Sequence, residues 1–295
     1  EKMIEWLLEE RVDLNIPFNS SEHSIETDIN IAYCPERVLP GNILKELINN
    51  DRIIGGLTQE CSQKAYEFYK GFVNGDCLKT NIKTAELCKL VENSYRDVNI
   101  AFANELSLIC EEENIDVWEL IELANKHPRV EILKPGPGVG GHCIAIDPWF
   151  IVDNNQEISQ IIKTARIVND SIPASVIKKV QAEITKQKKP INKIVIATLG
   201  LTYKANVDDT RESPALEISK QIDNMDILKQ LVVEPNIKEL PKELNSTKTS
   251  ISSLVAAINQ SDILVLLVDH KEFYDIDRTK LSDKIIVDTK GILRN

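Results

Sequence analysis

Residues 193–204, K-I-V-I-A-T-L-G-L-T-Y-K, decide the fold, because an apolar run ends at a glycine and a polar loop follows. A short apolar run bounded by a glycine is typical of a buried β-strand. Similar runs follow along the chain, and helical patterns separate them; the runs are Leu231–Val233, Ile263–Val268 and Ile285–Val287, and the helical patterns are Ser213–Ile222 and Ile251–Asn259. Strands that alternate with helices predict a parallel α/β domain, whose ligands bind beyond the carboxyl ends of its strands.

The loop after this first strand is therefore the candidate ligand site of the domain. Its polar and charged residues include Lys204, Asp208, Asp209 and Arg211. Upstream, the polar segment Lys186–Pro190 is the clearest connector in the chain. We accordingly place this domain at residues 187–295.

The first 80 residues have the pattern expected for the last third of a doubly wound α/β domain. Short strands are predicted at Asn30–Tyr33 and Arg52–Gly56, with helices at Asn42–Asn49 and Thr58–Phe72. The second helix has an apolar stripe, which consists of Ala65, Phe68 and Tyr69. The chain also begins inside a helical pattern, Met3–Leu8, which indicates the interior of a longer protein.

Residues 81–186 are predominantly helical. The longest pattern runs from Thr84 to Glu113 without glycine or proline. At 1.5 Å per residue it makes a rod of about 45 Å, and a helix of that length often builds a subunit interface. Further helices are predicted at Asp116–Asn125, Ile158–Ile172 and Ala174–Lys186.

Composition excludes several classes of protein. A chain of 295 residues is expected to form about two domains. A net charge of −11, without a block of like charges, disfavours binding to nucleic acid, and an anionic ligand would need a local basic pocket. Six irregularly spaced cysteines indicate reduced thiols in the cytosol. We expect neither a signal peptide nor a membrane span.

The segment that carries chemistry is residues 134–150, K-P-G-P-G-V-G-G-H-C-I-A-I-D-P-W-F. Glycines let the backbone approach a ligand closely, and prolines limit how far the loop can move. Cys143, followed by Asp147, is thus a candidate nucleophile. The alternative is an inert buried thiol, which is the more common state of a lone cysteine.

Two other interpretations of this loop are rejected. Gly136, Gly138 and Gly141 match the dinucleotide-binding pattern, but prolines interrupt it, Pro148 stands where the helix should run, and no acidic residue follows at the expected distance. A zinc site would combine His142 and Cys143 with Cys88 or Cys110. No C-x-x-C or H-x-x-x-H pair exists, so no metal is expected.

Lys89 and Asn93 lie four residues apart on the long helix, so they share one face. They are candidates for a cation and an amide directed at a reacting oxygen. The alternative is a solvated helix face, which is the usual place of a lysine. The apolar neighbours Cys88, Leu90 and Val91 weaken that alternative.

Together these segments resemble the nucleotide-sugar 6-dehydrogenase family, which includes the UDP-glucose and GDP-mannose dehydrogenases. The resemblance covers nearly the whole chain and is carried by residues 34–41 (C-P-E-R-V-L-P-G), 85–93 (A-E-L-C-K-L-V-E-N), 140–147 (G-G-H-C-I-A-I-D) and 200–214. It implies the C-terminal part of an NAD-binding Rossmann domain at 1–80, a dimerisation region at 81–186, and a Rossmann-like UDP-sugar-binding domain at 187–295.

The resemblance also implies a reaction, the oxidation of a sugar C6 alcohol to a carboxylate with NAD as cofactor. The implied substrate is UDP-N-acetyl-D-mannosamine, because the C-P-E-R-V-L-P-G string is typical of that branch and Pro40 replaces a glutamate usual in UDP-glucose enzymes. The alternatives are UDP-glucose and the UDP-N-acetyl forms of glucosamine and galactosamine.

By the same resemblance Cys143 captures the aldehyde as a thiohemiacetal and then carries a thioester. Lys89 stabilises the developing negative charge, Asn93 and Asp147 orient water and the reacting oxygen, and Glu36 assists proton transfer. Contacts with the substrate are implied for Arg129 (across a homodimer), Gly140, Gly141 and Lys204, and a contact with the cofactor for Arg211.

The glycine fingerprint of an NAD domain is not found in this sequence, and Glu1 falls inside that domain. We therefore expect residues 1–295 by themselves to bind a nucleotide sugar with little or no dehydrogenase activity. The alternative from another class is a non-catalytic, dimeric module that binds nucleotide sugars.

Overall fold

The computed structural model describes residues 6–7, 9–11, 13–15, 28–38, 42–244 and 246–294. Most of the helical pattern predicted at Met3–Leu8, and also Pro40, lie outside them. The chain divides into two compact units, residues 1–92 and residues 93–295. Each unit is described by itself below.

The first unit is built on a small mixed sheet of order β1-β2-β3. The strands are β1 (Ala32–Tyr33), β2 (Arg52–Gly56) and β3 (Cys77–Asn81), and the helices are α1 (Ile43–Asn49) and α2 (Gln59–Lys70). β1 runs antiparallel to β2, and β2 parallel to β3. The predicted strands and helices are confirmed, but the stripe predicted on α2 is confirmed only in part, since Ala65 and Tyr69 are half-buried. Phe68 is exposed, and the buried residues of α2 are Cys61 and Ser62, because the start of the helix packs on β2, where Gly56 N donates to Ser62 Oγ.

The long helix is confirmed as α3 (Ile82–Glu112), and the boundary between the units falls within it. At 1.5 Å per residue its 31 residues span about 46 Å. The predicted second helix is α4 (Val117–Ala124), whose first turn is capped by the Asp116 carboxylate.

Two proline effects were predicted wrongly. Helix α5 (Asp147–Asn154) begins where Pro148 was expected to prevent a helix, because a proline in the first turn has no helical N–H bond to lose. Helix α6 (Gln160–Thr185) continues through Pro173, where two helices were expected. Buried residues on both sides of that proline, Ile172 and Val176 among them, keep the helix packed.

The second unit contains the predicted parallel sheet, in the order β6-β5-β4-β7-β8. Its strands are β4 (Val195–Leu199), β5 (Lys229–Val233), β6 (Thr249–Ile251), β7 (Ile263–Leu266) and β8 (Ile285–Asp288), and its helices are α7 (Pro214–Asp223), α8 (Leu254–Gln260) and α9 (Lys271–Tyr274). Short 3-10 turns lie at Ile191–Lys193, Lys242–Leu244 and Arg278–Leu281. One prediction needs correction, since Ile251 ends strand β6 and the helix begins only at Leu254.

Helices cover both faces of this sheet. On one face Ile196 and Val265 pack with α6 and α7; on the other, Ala197 and Leu264 pack with Ala257 of α8. Burial on both faces explains why β4, β7 and the second half of β5 are nearly continuous apolar runs without alternation. The strand order reverses between β4 and β7, so the crevice where α/β folds bind ligands lies beyond the carboxyl ends of these two strands.

Candidate active site

Cys143 lies in the turn that leads into α5, and its side chain is exposed. The backbone N–H groups of Ile146 and Asp147 donate to Cys143 O at 3.2 and 2.9 Å. This turn therefore places the Cys143 thiol one turn ahead of the Asp147 carboxylate. Each of the six cysteines lies within the described residues, and each is a free thiol.

The structure brings together Asn93 and Asp147, two residues to which the resemblance assigns roles in the reaction. Asn93, on α3, donates from Nδ2 to the Asp147 carboxylate at the start of α5. Because an amide N–H can only donate, the oxygen of Asn93 remains available to another donor. A carboxylate and an amide held in this way can orient a water molecule or the oxygen of a bound sugar.

Gly140 and Gly141 seat the loop against residues 203–214. A Cβ on Gly140 would lie 2.4 Å from Glu212 O and 2.6 Å from Pro214 Cδ. Gly141 has φ +82°, and a Cβ there would lie 2.9 Å from the Tyr203 ring. Packing alone thus accounts for glycine at both positions, and their contact with a substrate stays a prediction.

The loop after β4 is stabilised by its own hydrogen bonds. Thr202 Oγ1 donates to Lys204 O at 2.9 Å, and the Lys204 side chain is exposed beyond the strand end. Arg211 forms a two-pronged pair with Asp209, with Nε–Oδ1 and Nη2–Oδ2 distances of 2.9 and 2.7 Å. These bonds lower the pKa of Asp209 to about 2, and His142 contributes in the same direction. Arg211 is therefore already paired, and its predicted contact with a cofactor is untested.

A buried network beneath this loop was missed by the sequence interpretation. His270 is fully buried, and its Nδ1 accepts from Asn206 N at 3.0 Å. Its Nε2 therefore carries the proton and faces Glu234 Oε2 at 3.0 Å, while that oxygen also accepts from Leu201 N. Burial would raise the pKa of Glu234, but the hydrogen bonds from His270 and from backbone N–H groups outweigh it and lower the pKa. The available signal was position, since Glu234 directly follows β5 and His270 lies just after β7.

The first unit brings Glu36 and Lys89 together. Lys89 Nζ donates to the main-chain oxygen of Glu36 at 2.9 Å. The Glu36 carboxylate pairs with the buried Arg52 at 3.2 Å and accepts from Arg37 N at 2.8 Å. Lys89 is therefore held in place at its tip and is not freely solvated, and its catalytic role stays a prediction.

Other predictions are not brought into a site by the described residues. Arg129 is exposed, and its N–H donates to His127 Nδ1. Across the described ranges, no three His, Cys, Asp or Glu side chains group so as to hold a metal ion. Over the same ranges, no helix has the length and apolar character needed to cross a membrane.

Three family models match successive parts of the chain, all described as the UDP-glucose/GDP-mannose dehydrogenase family. The NAD binding domain matches residues 1–73, the central domain residues 83–171, and the UDP binding domain residues 197–295. Among curated proteins, the chain is 53% identical over its whole length to the UDP-N-acetyl-D-mannosamine dehydrogenase of Yersinia pestis, of which it covers 70%. The chain belongs to the UDP-glucose/GDP-mannose dehydrogenase family.

Other relatives support the same membership. Identity is 54% to the UDP-N-acetyl-D-mannosamine dehydrogenase of Escherichia coli K12, with 70% of that protein covered. It is 51% to the NDP-N-acetyl-D-galactosaminuronic acid dehydrogenase of Ralstonia nicotianae, with 99% of this chain and 67% of that protein covered.

Solved structures share the fold. The UDP-D-ManNAc dehydrogenase of Pyrococcus horikoshii is 37% identical, with a TM-score of 0.81 over 91% of this chain and 63% of that one. The UDP-N-acetyl-mannosamine dehydrogenase of Staphylococcus aureus is 38% identical, with a TM-score of 0.79 over the whole chain. The chain spans 65% of that second structure. The three predicted types of domain are confirmed: part of an NAD-binding domain, a central helical region and a UDP-sugar-binding domain.

Proposed function

We propose that the protein is an NAD-dependent dehydrogenase that oxidises C6 of UDP-N-acetyl-D-mannosamine to the carboxylate, in two two-electron steps. The observation that carries the proposal is the exposed Cys143 thiol, one turn ahead of an Asp147 carboxylate paired with Asn93. Support for the substrate comes from relatives 53% and 54% identical that carry the name of that dehydrogenase.

The first unit has residues that fit part of a nucleotide cofactor. An open cleft lies beyond the carboxyl ends of the parallel strands β2 and β3, where α/β domains bind such groups. Polar residue types predominate among its lining residues and include Thr58, Ser62, Lys79 and Asn81. When bound, NAD accepts one hydride in each oxidation.

The covalent chemistry belongs to Cys143. After the C6 alcohol has lost a hydride and a proton, the thiolate adds to the aldehyde carbon, and the aldehyde oxygen takes up a proton. Loss of the second hydride and of that proton leaves a thioester. Water then adds, the carbon–sulfur bond breaks, and the thiolate leaves with the acid as product. Covalent capture retains the reactive aldehyde between the two oxidations.

We assign the supporting roles as follows. Asp147 and Asn93 hold the attacking water and the reacting oxygen. Lys89, whose tip is fixed on Glu36, supplies positive charge where the oxygen becomes negative, and the Glu36 carboxylate takes the proton from water.

The nucleotide end of the substrate is proposed to bind in the second unit, beyond the ends of β4 and β7. Lys204 supplies a cation to the diphosphate there, and Arg129 a second one from the partner subunit. In a protein with a net charge of −11, such local cations are what an anionic ligand requires.

We also propose a homodimer formed through α3. Tyr95, Phe102 and Ile109 lie seven residues apart, so they form one stripe, and they are 70%, 52% and 50% exposed. An exposed apolar stripe of this kind marks a protein interface. A cytoplasmic location suits the six free thiols, because they require a reducing compartment.

The second candidate is the same reaction on a galactosamine-type sugar. A relative 51% identical is named an NDP-N-acetyl-D-galactosaminuronic acid dehydrogenase, which differs in the configuration of the sugar. UDP-N-acetyl-glucosamine and UDP-glucose complete the panel of substrates that should be compared.

The test uses the product of the complete gene and measures NADH and acid formed from each of these UDP-sugars. We expect two NADH per acid, with UDP-N-acetyl-D-mannosamine giving the highest kcat/KM. Cys143→Ser should abolish acid formation, and Cys77→Ser, at a partly buried cysteine on β3, should leave it unchanged. Acid release by Cys143→Ser at the parent rate would show that the nucleophile is wrongly assigned.

A further inference from the structure

Helix α3 carries a row of polar side chains that face the interior of the second unit. Asp97 and Asn104 in this row are both 0% exposed. Polar groups buried this deeply are costly unless each one is hydrogen-bonded. The hydrogen-bond partners of these side chains therefore indicate the role of the row.

These side chains form a chain of hydrogen bonds in which each group donates to the next. The chain starts at Gly136, on the loop that carries Cys143, and leads to Asp97. Gly136 N, which can only donate, bonds to Asn104 Oδ1 at 2.9 Å. Asn104 Nδ2 must then donate to Asn169 Oδ1 at 2.9 Å, and Asn169 Nδ2 to Asp97 Oδ1 at 2.8 Å. Arg166, also buried, donates to the same Asp97 oxygen at 2.6 Å. Each amide thus has one orientation that satisfies its neighbours.

The loop is attached to α3 at both of its ends. Gly136 at its start bonds to Asn104, and Asp147 after its end bonds to Asn93. Pro135 and Pro137, which flank Gly136, are buried and stiffen the backbone there. A shift at Gly136 is therefore passed along the loop towards Cys143.

We propose that Asn104, with Asn169 behind it, is a positioning residue that sets the place of the Cys143 thiol. The inference rests on the proposed function for its effect on turnover. Asn104 does not touch the substrate; it acts through the Gly136 N–H. Misplacing a reacting group by about 1 Å can cost about a hundredfold in rate, so a displaced loop slows aldehyde capture.

The test compares Asn104→Leu with Asn104→Asp in the product of the complete gene. Leucine has a similar shape but leaves Gly136 N–H and Asn169 Oδ1 without a partner. Buried aspartic acid favours its neutral form, which accepts from Gly136 and donates to Asn169 as the amide does. Asn259→Leu, at an exposed position on α8, is the control.

Two measurements follow the thiol directly. The first is the rate at which iodoacetamide alkylates Cys143, followed by peptide mass spectrometry without substrate. The second is the share of product released as aldehyde, trapped with hydroxylamine, relative to acid. Asn104→Leu should change the alkylation rate, raise the aldehyde share and lower kcat about tenfold to a hundredfold with KM little changed. Asn104→Asp and Asn259→Leu should remain close to the parent.

The outcomes are separable. If the parent oxidises no nucleotide sugar, the proposed function fails, and alkylation alone decides the positioning role. Equal alkylation rates in Asn104→Leu and the parent would overturn the positioning role. An Asn104→Asp variant whose alkylation rate or kcat is changed as strongly as in Asn104→Leu would also overturn it. If Asn104→Leu does not fold, hydrogen exchange on the parent decides, since the Gly136 amide should exchange slowly; exchange as fast as in an unstructured peptide overturns the proposal.

Discussion

Gly140→Ala should displace the loop that carries Cys143. The added methyl group would lie 2.4 Å from Glu212 O, 2.6 Å from Pro214 Cδ and 3.0 Å from Tyr203 Cβ. Glu212 O is a backbone atom, so a rotamer change cannot remove the contact. The loop itself must move away from residues 203–214.

The cost follows from this overpacking. Forcing an extra methyl group into a packed site costs about 1–3 kcal/mol. For a unit of this size about 1 kcal/mol lowers the melting temperature by roughly 2–4 °C, so a decrease of about 2–12 °C is expected. Because the strain falls on the loop that carries Cys143, kcat should also decrease. A displacement of about 1 Å would lower it by up to about a hundredfold.

Gly136→Ala is the matched control in the same loop, because alanine keeps the backbone N–H that bonds to Asn104. A Cβ there meets only the Lys290 side chain, at 3.5 and 3.9 Å, which is ordinary contact. Its effect on stability should stay within about 0.5 kcal/mol. The assays are scanning calorimetry and NADH formation with the complete gene product. If Gly140→Ala melts and turns over like Gly136→Ala, the packing argument is wrong.

Two further predictions concern the interface and the acidic pair. Phe102→Asp, in the centre of the exposed stripe on α3, should convert the dimer to a monomer in sedimentation experiments at micromolar concentration, whereas the same change at exposed Phe68 should not. Arg211→Ala should raise the pKa of Asp209 from about 2 towards 3.8, as followed by carboxyl NMR, with Lys220→Ala as control. Because the folded pKa is depressed, the stabilisation by this pair is present above pH 3.8, is lost as pH falls towards 2, and should be missing in the variant.

Local patterns predicted the second unit well, for a physical reason. Strands covered by helices on both faces must be largely apolar, and such runs at Ile263–Leu266 and Val195–Leu199 are visible without a structure. Predictions failed where a local rule had an exception. Pro148 is accepted in a first turn, and β6, with only three residues, is too short to produce a recognisable run.

Some residues of the candidate site could likewise be predicted from the sequence, and others became visible only in the structure. Glycine and proline around Cys143 indicate an unusual backbone, because their own covalent structure determines how the backbone can bend. The candidate nucleophile and the carboxylate four residues later could therefore be predicted from the sequence. Asn104 and Asn169 are separated by 65 residues, and His270 and Glu234 by 36. Amides, histidines and carboxylates occur on any protein surface, and nothing local distinguishes a buried one. Only the packing of α3 against α6, and the position of β4 between β5 and β7, remove these groups from water and make their hydrogen bonds to one another obligatory.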